Sequence, residues 1–465
     1  MDLEQSKRRQ SLRILISEIV MVLAVVVTVI ILAFIVSGYW VNSDFKIERQ
    51  GLLQVASIPT GADVKIDGSS SWLQRTNTSK VLKSGTHEVE LTKEGYDSWH
   101  KTVNIAEGLL YRLNYPRLFL KDRSVETVAN LKEAALATIS PNRELMLVTN
   151  STTEWELIEL NNDNITPKPL DISNYFTSVS LAPGAPVGLF TGTIINASWD
   201  KDCNHILFEV DNGAKIEWVL LDIKNISNSL NLTNSFGFSF DSIKIIDNSA
   251  NRLLTLQGGN LRQIDVPGRS ISSVIAGGVT SFDYYNNDII VAKTVEDAFT
   301  VEAFKLGDDK VTTLETTTSP AQVAISRFYD DKCFTILIDD TVSVYKANEF
   351  EEVVSQKLSF VPARLKIGHN GSFVLLWSEH NLATLDMESL LLTEWQLENA
   401  NFGWLDGHII YTVAGGELII CDYDGLNRRI LASNVSSRLP ATITADKWLY
   451  YFSDNNLVRE WLIPR

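Results

Sequence analysis

Residues 247–260 read Asp247-Asn248-Ser249-Ala250-Asn251-Arg252-Leu253-Leu254-Thr255-Leu256-Gln257-Gly258-Gly259-Asn260. A polar turn leads into a short apolar strand, and a second polar turn leads into the next. Asp, Asn, Gly and Ser around short apolar runs are the signature of hairpin-linked strands. The phrase returns as Asp406-Gly407-His408-Ile409-Ile410-Tyr411-Thr412-Val413-Ala414-Gly415-Gly416-Glu417 and as Asp446-Lys447-Trp448-Leu449-Tyr450-Tyr451-Phe452-Ser453-Asp454-Asn455-Asn456. First turns of this kind fall at Asn142, Asp202, Asp247, Asn287, Asp331, Asn370, Asp406 and Asp446, spaced by 60, 45, 40, 44, 39, 36 and 40 residues. A period of about 40–45 residues with four short strands per repeat belongs to propeller blades. Residues 121–465 are therefore expected to form a β-propeller of about eight blades, with seven as the alternative, in a mostly β chain.

Two irregularities refine this. The first spacing is long, and its excess, 171–195, reads as an inserted loop around Pro183-Gly184-Ala185-Pro186, polar at its start and apolar toward Leu189-Phe190. The last phrase is short: nineteen residues follow Asp446, room for two strands but not three. The stretch Ser124-Val125-Glu126-Thr127-Val128-Ala129, ahead of the first phrase, has strand-like alternation. It is expected to supply the missing outer strand and remove a raw sheet edge.

The N-terminal region obeys different rules. Residues 19–36 read IVMVLAVVVTVIILAFIV, eighteen residues with no charge and Thr28 as the one polar member. A membrane-crossing helix needs roughly 20 apolar residues, so a transmembrane helix is expected over 14–40. Lys7, Arg8, Arg9 and Arg13 precede it, and Tyr39 and Trp40 follow. The positive-inside rule puts 1–13 in the cytoplasm and the bulk of the chain outside. The run is too long for a cleaved signal peptide, and no small-residue cleavage site follows. The short tail leaves no room for a cytoplasmic output domain.

The formal net charge of −16 is uneven. Residues 1–43 and 44–120 each carry +1, leaving −18 on 121–465. Such a domain repels nucleic acid and anionic lipid at long range and favours a cationic or neutral partner. The three cysteines, Cys203, Cys333 and Cys421, are scattered and lack the spacing of a disulfide framework or a zinc site. They are expected to be small buried hydrophobes. Sequons occur at Asn196-Ala197-Ser198 and Asn231-Leu232-Thr233.

Residues 50–120 show period-two alternation, with His87, Val89 and Leu91 opposing Glu88, Glu90 and Thr92. Strands are expected at 53–57, 63–66, 86–92 and 96–105, with Tyr96 and Trp99 in the core of a small antiparallel sandwich. The stretch Val55-Ala56-Ser57-Ile58-Pro59-Thr60-Gly61-Ala62-Asp63-Val64-Lys65-Ile66-Asp67-Gly68 resembles the PEGA domain, as do Ser84-Gly85-Thr86-His87-Glu88-Val89 and Lys93-Glu94-Gly95-Tyr96. The family's name-giving tetrapeptide stands here as Pro59-Thr60-Gly61-Ala62, and Gln74-Arg75-Thr76-Asn77 stands where the family has Gly-x-Thr-Pro. The resemblance covers about 70 residues and implies a surface or envelope module without enzymatic activity of its own. In the later region, Ser140-Pro141-Asn142-Arg143-Glu144-Leu145-Met146-Leu147 and Ala197-Ser198-Trp199-Asp200-Lys201-Asp202-Cys203-Asn204-His205-Ile206-Leu207-Phe208 resemble TolB-type propellers. Arg143 and Cys203 stand where that family has Gly.

The chain has no H-E-x-x-H, G-x-S-x-G, Walker loop or G-x-G-x-x-G. His87, His100, His205, His369, His380 and His408 are the six histidines, three of them at or near the repeated turns. Asp422-Tyr423-Asp424-Gly425 reads as a hairpin turn rather than a calcium loop, which needs further carboxylates. The pairs Asp308-Asp309, Asp330-Asp331 and Asp339-Asp340 are expected in solvent-facing turns. Trp199, Trp218, Trp377 and Trp448 lie in strand patterns and are expected to pack in cores. No catalytic, cofactor-binding or metal-ligating residue is therefore assigned, no cofactor is implied, and the binding residues remain open. The expected protein is a membrane-anchored extracytoplasmic binding or scaffolding protein of the cell envelope. Its partners are the membrane and an envelope protein or glycan, not nucleic acid. The alternative is a glycan-active envelope enzyme with paired carboxylates in the propeller funnel.

Overall fold

The computed structural model describes residues 16–30, 32–33, 39–41, 47–131, 134–149, 155–177, 193–247, 249–368, 371–397 and 402–464. They form two compact units, 1–123 and 124–463.

In the first unit, residues 16–30 and 32–33 are helical with exposed side chains. No helix among the described residues is long and apolar enough to cross a membrane. The expected tail 1–13 and part of the expected span 14–40 lie outside them. Tyr39 and Trp40, expected at the helix end, instead open strand β1 (Tyr39–Val41), which pairs with Ile47–Arg49 of β2 (Ile47–Val55). Aromatic and β-branched side chains favour this extended backbone.

Two four-stranded sheets follow. One joins β1, β2, β5 (Thr78–Lys83) and β8 (Leu110–Leu113), the last parallel to β2. The other runs β4 (Ser69–Arg75), β3 (Asp63–Ile66), β6 (Gly85–Thr92), β7 (Trp99–Ile105). Sequence reading misses β4, β5 and β8 and starts β2 six residues late, because those segments mix polar and apolar residues without clean alternation. The expected core residues Tyr96 and Trp99 are buried. At Asp67-Gly68 both residues have positive φ (52° and 71°), the backbone of a type I′ hairpin turn.

In the second unit, eight four-stranded antiparallel sheets follow one another among the described residues: 136–170, 193–231, 242–271, 279–317, 321–357, 364–396, 402–433 and 442–461. Seven take their four strands in chain order. The eighth has three strands of its own, and its fourth is Val125–Asn130, antiparallel to Asn456–Trp461. Apolar clusters fill the seams. Leu147 and Trp155 of sheet 1 pack with Ile206 and Phe208 of sheet 2. Corresponding clusters join sheets 2 to 3, 3 to 4, 4 to 5, 5 to 6 and 6 to 7. The Ile443 N–H donates to Leu405 O across the seam between sheets 7 and 8 (3.0 Å). Met146 and Ile158 of sheet 1 pack against Trp448, Tyr450 and Phe452 of sheet 8, which closes a ring. The architecture is a β-propeller.

The repeated turns have a physical reason. Each connects the first and second strands of one sheet; Asn370 alone lies outside the described residues. A turn side chain accepts the backbone amides that the hairpin leaves unpaired. Asp247 Oδ1 accepts from Asn251 N and Oδ2 from Arg252 N, and Asp406 Oδ1 accepts from His408 N and Ile409 N. In sheet 2 this role falls to Asp200 rather than the expected Asp202: its Oδ1 accepts from Asn204 N and His205 N. Arg143 and Cys203, which stand where TolB-type propellers have glycine, have φ of 60° and 59°. The conformation that favours glycine is kept without the glycine.

The expected insertion is shorter than 171–195. Thr193–Trp199 is the first strand of sheet 2, and residues 178–192, including Pro183-Gly184 and Leu189-Phe190, lie outside the described residues. Its first part is pinned. Phe176 stacks on Trp155 (centroids 5.5 Å apart), and Thr177 donates through N and Oγ1 to the buried Glu217 carboxylate (3.0 and 2.6 Å). Asn231 caps the short helix Leu232–Phe236 and is buried, so that sequon is closed to glycosylation in the fold, whereas Asn196 is exposed.

Arg459 fastens the ring. It is 2% exposed and donates to Asn162 O (3.0 Å) and Asp163 O (2.9 Å) of sheet 1 and to Glu126 Oε2 (3.0 Å) of the closing strand. Its guanidinium lies over Trp448 and Trp461 (5.3 and 5.7 Å to the ring centroids). Charge-assisted hydrogen bonds contribute about 1.5–3 kcal/mol each where a buried partner is left unsatisfied. Arg459→Met, which keeps the apolar stem, is expected to lower unfolding stability by about 2–3 kcal/mol. Glu126 is 40% exposed, so Glu126→Gln is expected to cost under about 1 kcal/mol. Denaturant titration of both variants checks the ordering, and equal losses contradict it.

Candidate functional site

First strands of neighbouring sheets touch one another, which places them on the ring axis. Lys244 of sheet 3 pairs with Asp283 of sheet 4 (2.5 Å), and Asp283 Oδ2 accepts from Ile325 N of sheet 5 (2.8 Å). Gln322 of sheet 5 donates to Ala363 O and accepts from Leu365 N of sheet 6. This belt settles the charges on one side of the channel.

On the other side the channel widens into a recess of about 660 Å³. Arg364 and Lys366 reach it from the first strand of sheet 6, where they alternate with the more buried Leu365 and Ile367 and so share one face. Trp377 comes from the second strand of that sheet, and Phe402 and Trp404 from the first strand of sheet 7. Tyr411 and Arg438 complete the wall, Arg438 from the segment that leads into sheet 8. Arg364, Lys366 and Arg438 are exposed to the channel and make no side-chain hydrogen bond or ion pair with any described residue. No described lining residue is acidic.

Two glycines seat the aromatic wall. A Cβ on Gly403 would stand 2.8 Å from Tyr411 Cε1, and one on Gly368 would stand 3.1 Å from Trp404 Cζ2. Trp377 and Phe402 meet edge to face at 5.4 Å. Burial pushes the Tyr411 phenol up, against a smaller downward pull from the Ala441 backbone. Desolvation by the surrounding walls lowers the Lys366 ammonium, although the side chain reaches channel water. The site can therefore offer positive charge and flat apolar faces together.

Of the tryptophans expected in cores, Trp218 and Trp448 are buried and Trp199 is half-buried, donating to Thr138 Oγ1 (2.9 Å). Trp377 corrects that expectation, because it also lines the recess. It could not be singled out from its strand pattern, which does not say which strand face meets the axis. The three cysteines are free and buried, with thiols raised by burial, Cys333 to about 11 and Cys421 to about 12. Asp422-Tyr423-Asp424-Gly425 is a turn closed by Gly425 N donating to Asp422 O (2.9 Å). Asp308, Asp309, Asp330, Asp331 and Asp339 are exposed, and Asp340 is half-buried. No metal-holding group of His, Cys, Asp and Glu occurs among the described residues. His369 lies outside them; His87 pairs with Asp67 (2.7 Å) and His205 with Asp200 (2.8 Å).

Residues 50–117 match the PEGA domain model. The match covers most of the small two-sheet unit and none of the propeller. No curated protein matches the chain. Among solved structures, the computationally designed protein Ika8 shares 12% identity over 72% of this chain and 98% of its own, with a TM-score of 0.42. Hsv2 of Kluyveromyces lactis shares 10% over 65% and 98%, with a TM-score of 0.43. Apo AztD of Citrobacter koseri shares 9% over 80% and 94%, with a TM-score of 0.41. The propeller assignment rests on the sheet order and ring closure of this chain rather than on these likenesses.

Gly403→Ala is expected to displace Tyr411 and lower stability by about 1–3 kcal/mol, the range for overpacking. Thermal melts together with near-ultraviolet circular dichroism check it; an unchanged aromatic spectrum contradicts the seating role. The His205–Asp200 pair gives a pH signature. The Asp200 hydrogen bond raises the His205 pKa above 6.5 despite desolvation. Burial pushes Asp200 up, but hydrogen bonds from the His205 ring and from two backbone amides hold it below 3.8. The His205 contribution is complete below 6.5 and is lost as pH rises through its raised folded value. The Asp200 contribution is complete above 3.8 and is lost as pH falls through its depressed value. The stability advantage of wild type over His205→Asn is expected to peak between those ordinary values, 3.8 and 6.5. Melting temperatures across pH check it, and a pH-independent difference contradicts it.

Proposed function

We propose that this is a single-pass, membrane-anchored protein of the cell envelope that binds or scaffolds another envelope component through its extracytoplasmic propeller. The observation that carries the binding reading is the central recess. It joins cations that pair with no described residue to aromatic faces, on a closed ring that fixes their positions. Rigid scaffolds that present converging side chains are suited to recognition. The PEGA domain at 50–117 supports a surface setting. The glycan-active enzyme alternative requires two carboxylates facing one cavity, and the described wall of this recess carries none.

Anchorage is supported by residues 16–30 and 32–33, helical and almost wholly apolar, with exposed side chains. The Thr28 Oγ1 hydroxyl, the one polar group of the apolar run 19–36, donates to Ala24 O one turn back (2.8 Å), which satisfies it without water. The basic residues Lys7, Arg8, Arg9 and Arg13 favour a cytoplasmic N-terminus. The acidic exterior favours a cationic or neutral macromolecular partner on the outer faces of the ring and disfavours nucleic acid.

A membrane-impermeant amine reagent applied to intact cells is expected to modify exposed ring lysines such as Lys305 and to spare Lys7 until lysis, with the N-terminus uncleaved. Peptide mass spectrometry reads both sites. A mature N-terminus near Gly38, or labelling of Lys7 before that of the ring, overturns the topology.

A further inference from the structure

The recess contradicts the charge of the domain around it. Residues 121–465 carry −18, yet every charged side chain among the described lining residues is a cation. Elsewhere along the axis a cation is matched, as Lys244 is by Asp283. Here Arg364, Lys366 and Arg438 make no ion pair with any described residue. Like charges gathered at one enclosed place repel and weaken a fold unless an anion offsets them. Desolvation by the surrounding walls lowers the Lys366 ammonium pKa.

The remainder of the wall narrows the class of anion. Trp377, Phe402, Trp404 and Tyr411 offer flat apolar faces beside the cations. A bare inorganic anion has no use for such faces. A sugar ring has C–H faces that stack on aromatic rings, and its carboxylate or phosphate substituents suit guanidinium and ammonium groups. Arg364 and Lys366, two residues apart on one strand, stand roughly 7 Å apart along it, a spacing suited to acid groups on neighbouring sugar units. The volume of about 660 Å³ lies within the roughly 300–1,000 Å³ of ligand pockets.

We propose that the recess binds an anionic saccharide, its acid groups held by Arg364, Lys366 and Arg438 and its ring faces stacked on Trp377 and the neighbouring aromatic side chains. This rests on the reading of the propeller as the binding part of the protein and names the ligand chemistry of that site. The ligand is a short stretch of acidic glycan threaded into the axis. The surrounding negative surface excludes polyanions too bulky to enter the channel, so selection is by size as well as by charge.

The test uses the full chain in detergent micelles, with binding followed by intrinsic tryptophan fluorescence and calorimetry. Three probes are compared: a glucuronate-containing tetrasaccharide, an oligomer of sugar phosphate, and a neutral glucose tetrasaccharide. At least one acidic probe is expected to bind, with the neutral probe at least ~10-fold weaker and affinity falling as salt rises. Which acidic probe binds tells carboxylate from phosphate recognition. The double variant Arg364→Gln/Lys366→Gln is expected to weaken that binding by at least ~10-fold at a melting temperature no lower than that of wild type. If the double variant unfolds, Arg438→Gln, on a separate segment, is read in its place with the same expectation. Binding of neither acidic probe, equal binding of the neutral one, or unchanged affinity in a folded variant overturns the proposal. A parallel capture from solubilised envelope separates binding by the propeller from binding of saccharide in the recess. A partner captured equally by wild type and the cation variants leaves the binding reading standing and overturns the saccharide site. No capture by wild type, with neither acidic probe bound, overturns both.

Discussion

Ring closure is the constraint on which the second unit depends, and it is concentrated at one buried guanidinium. An eight-sheet ring built from a linear chain has two ends that must be joined, and an unjoined sheet exposes both a polar edge and an apolar seam. The strand pairing of Val125–Asn130 with Asn456–Trp461 covers the edge. Arg459 then ties the closing strand, sheet 8 and the loop after the third strand of sheet 1 through Glu126 and the Asn162 and Asp163 carbonyls. Tyr450 adds a further bond to Leu160 O (2.7 Å) and Thr444 one to Arg143 O (2.7 Å). Residues some 300 positions apart thus meet at hydrogen-bond distance. The channel geometry depends on this, because the recess spans sheets 6 and 7, the lead into sheet 8 and Ala137 of sheet 1. A ring that opened at the closure would open the recess as well.

The repeat was legible because its cause is local. Each phrase encodes a hairpin, and at Asn142, Asp247 and Asp406 the first-turn side chain satisfies amides only a few residues away. Such chemistry survives in a single sequence even when the rest of the repeat has diverged. The closing strand was legible by elimination, since the last phrase lacked an outer strand and a β-branched stretch stood unused at the other end. That Arg143 and Cys203 stand where TolB-type propellers have glycine was a weaker signal than it looked. Both residues hold the left-handed conformation at a cost of roughly 1–2 kcal/mol each. The second-strand core of each sheet offsets that cost. In the small unit, β3 and β6 were legible and β4, β5 and β8 were not. The first pair has one buried face with clean alternation, whereas the others sit at edges or carry mixed faces.

The recess was not legible, and the reason is geometric. Its residues come from four places in the chain, and no local pattern joins Arg364 and Lys366 to Trp404 or Arg438. Within its own strand each reads as an ordinary exposed cation or core aromatic. What distinguishes them is that first strands converge on an axis, so a side chain that would face bulk water in an open sheet faces other side chains instead. Net charge misled in the same way. A balance of −18 describes the field far from the domain, where contributions add with little regard to position. Inside the recess the nearest charges dominate, and those of its described lining residues are positive.

The two fields together have a consequence for selectivity. An extended polyanion approaching the outer surface meets repulsion over its whole length, which screening reduces beyond roughly 8–10 Å at physiological salt. A short acidic segment that enters the channel leaves that field behind and gains three cations for its few charges. Discrimination between the two needs no additional contact, since it follows from where the charges sit. The arrangement also explains the glycines of the wall. Gly403 and Gly368 let Tyr411 and Trp404 pack against backbone rather than project across the axis, so the aromatic faces line the space without filling it. An alanine at either place would press on the ring that packs there.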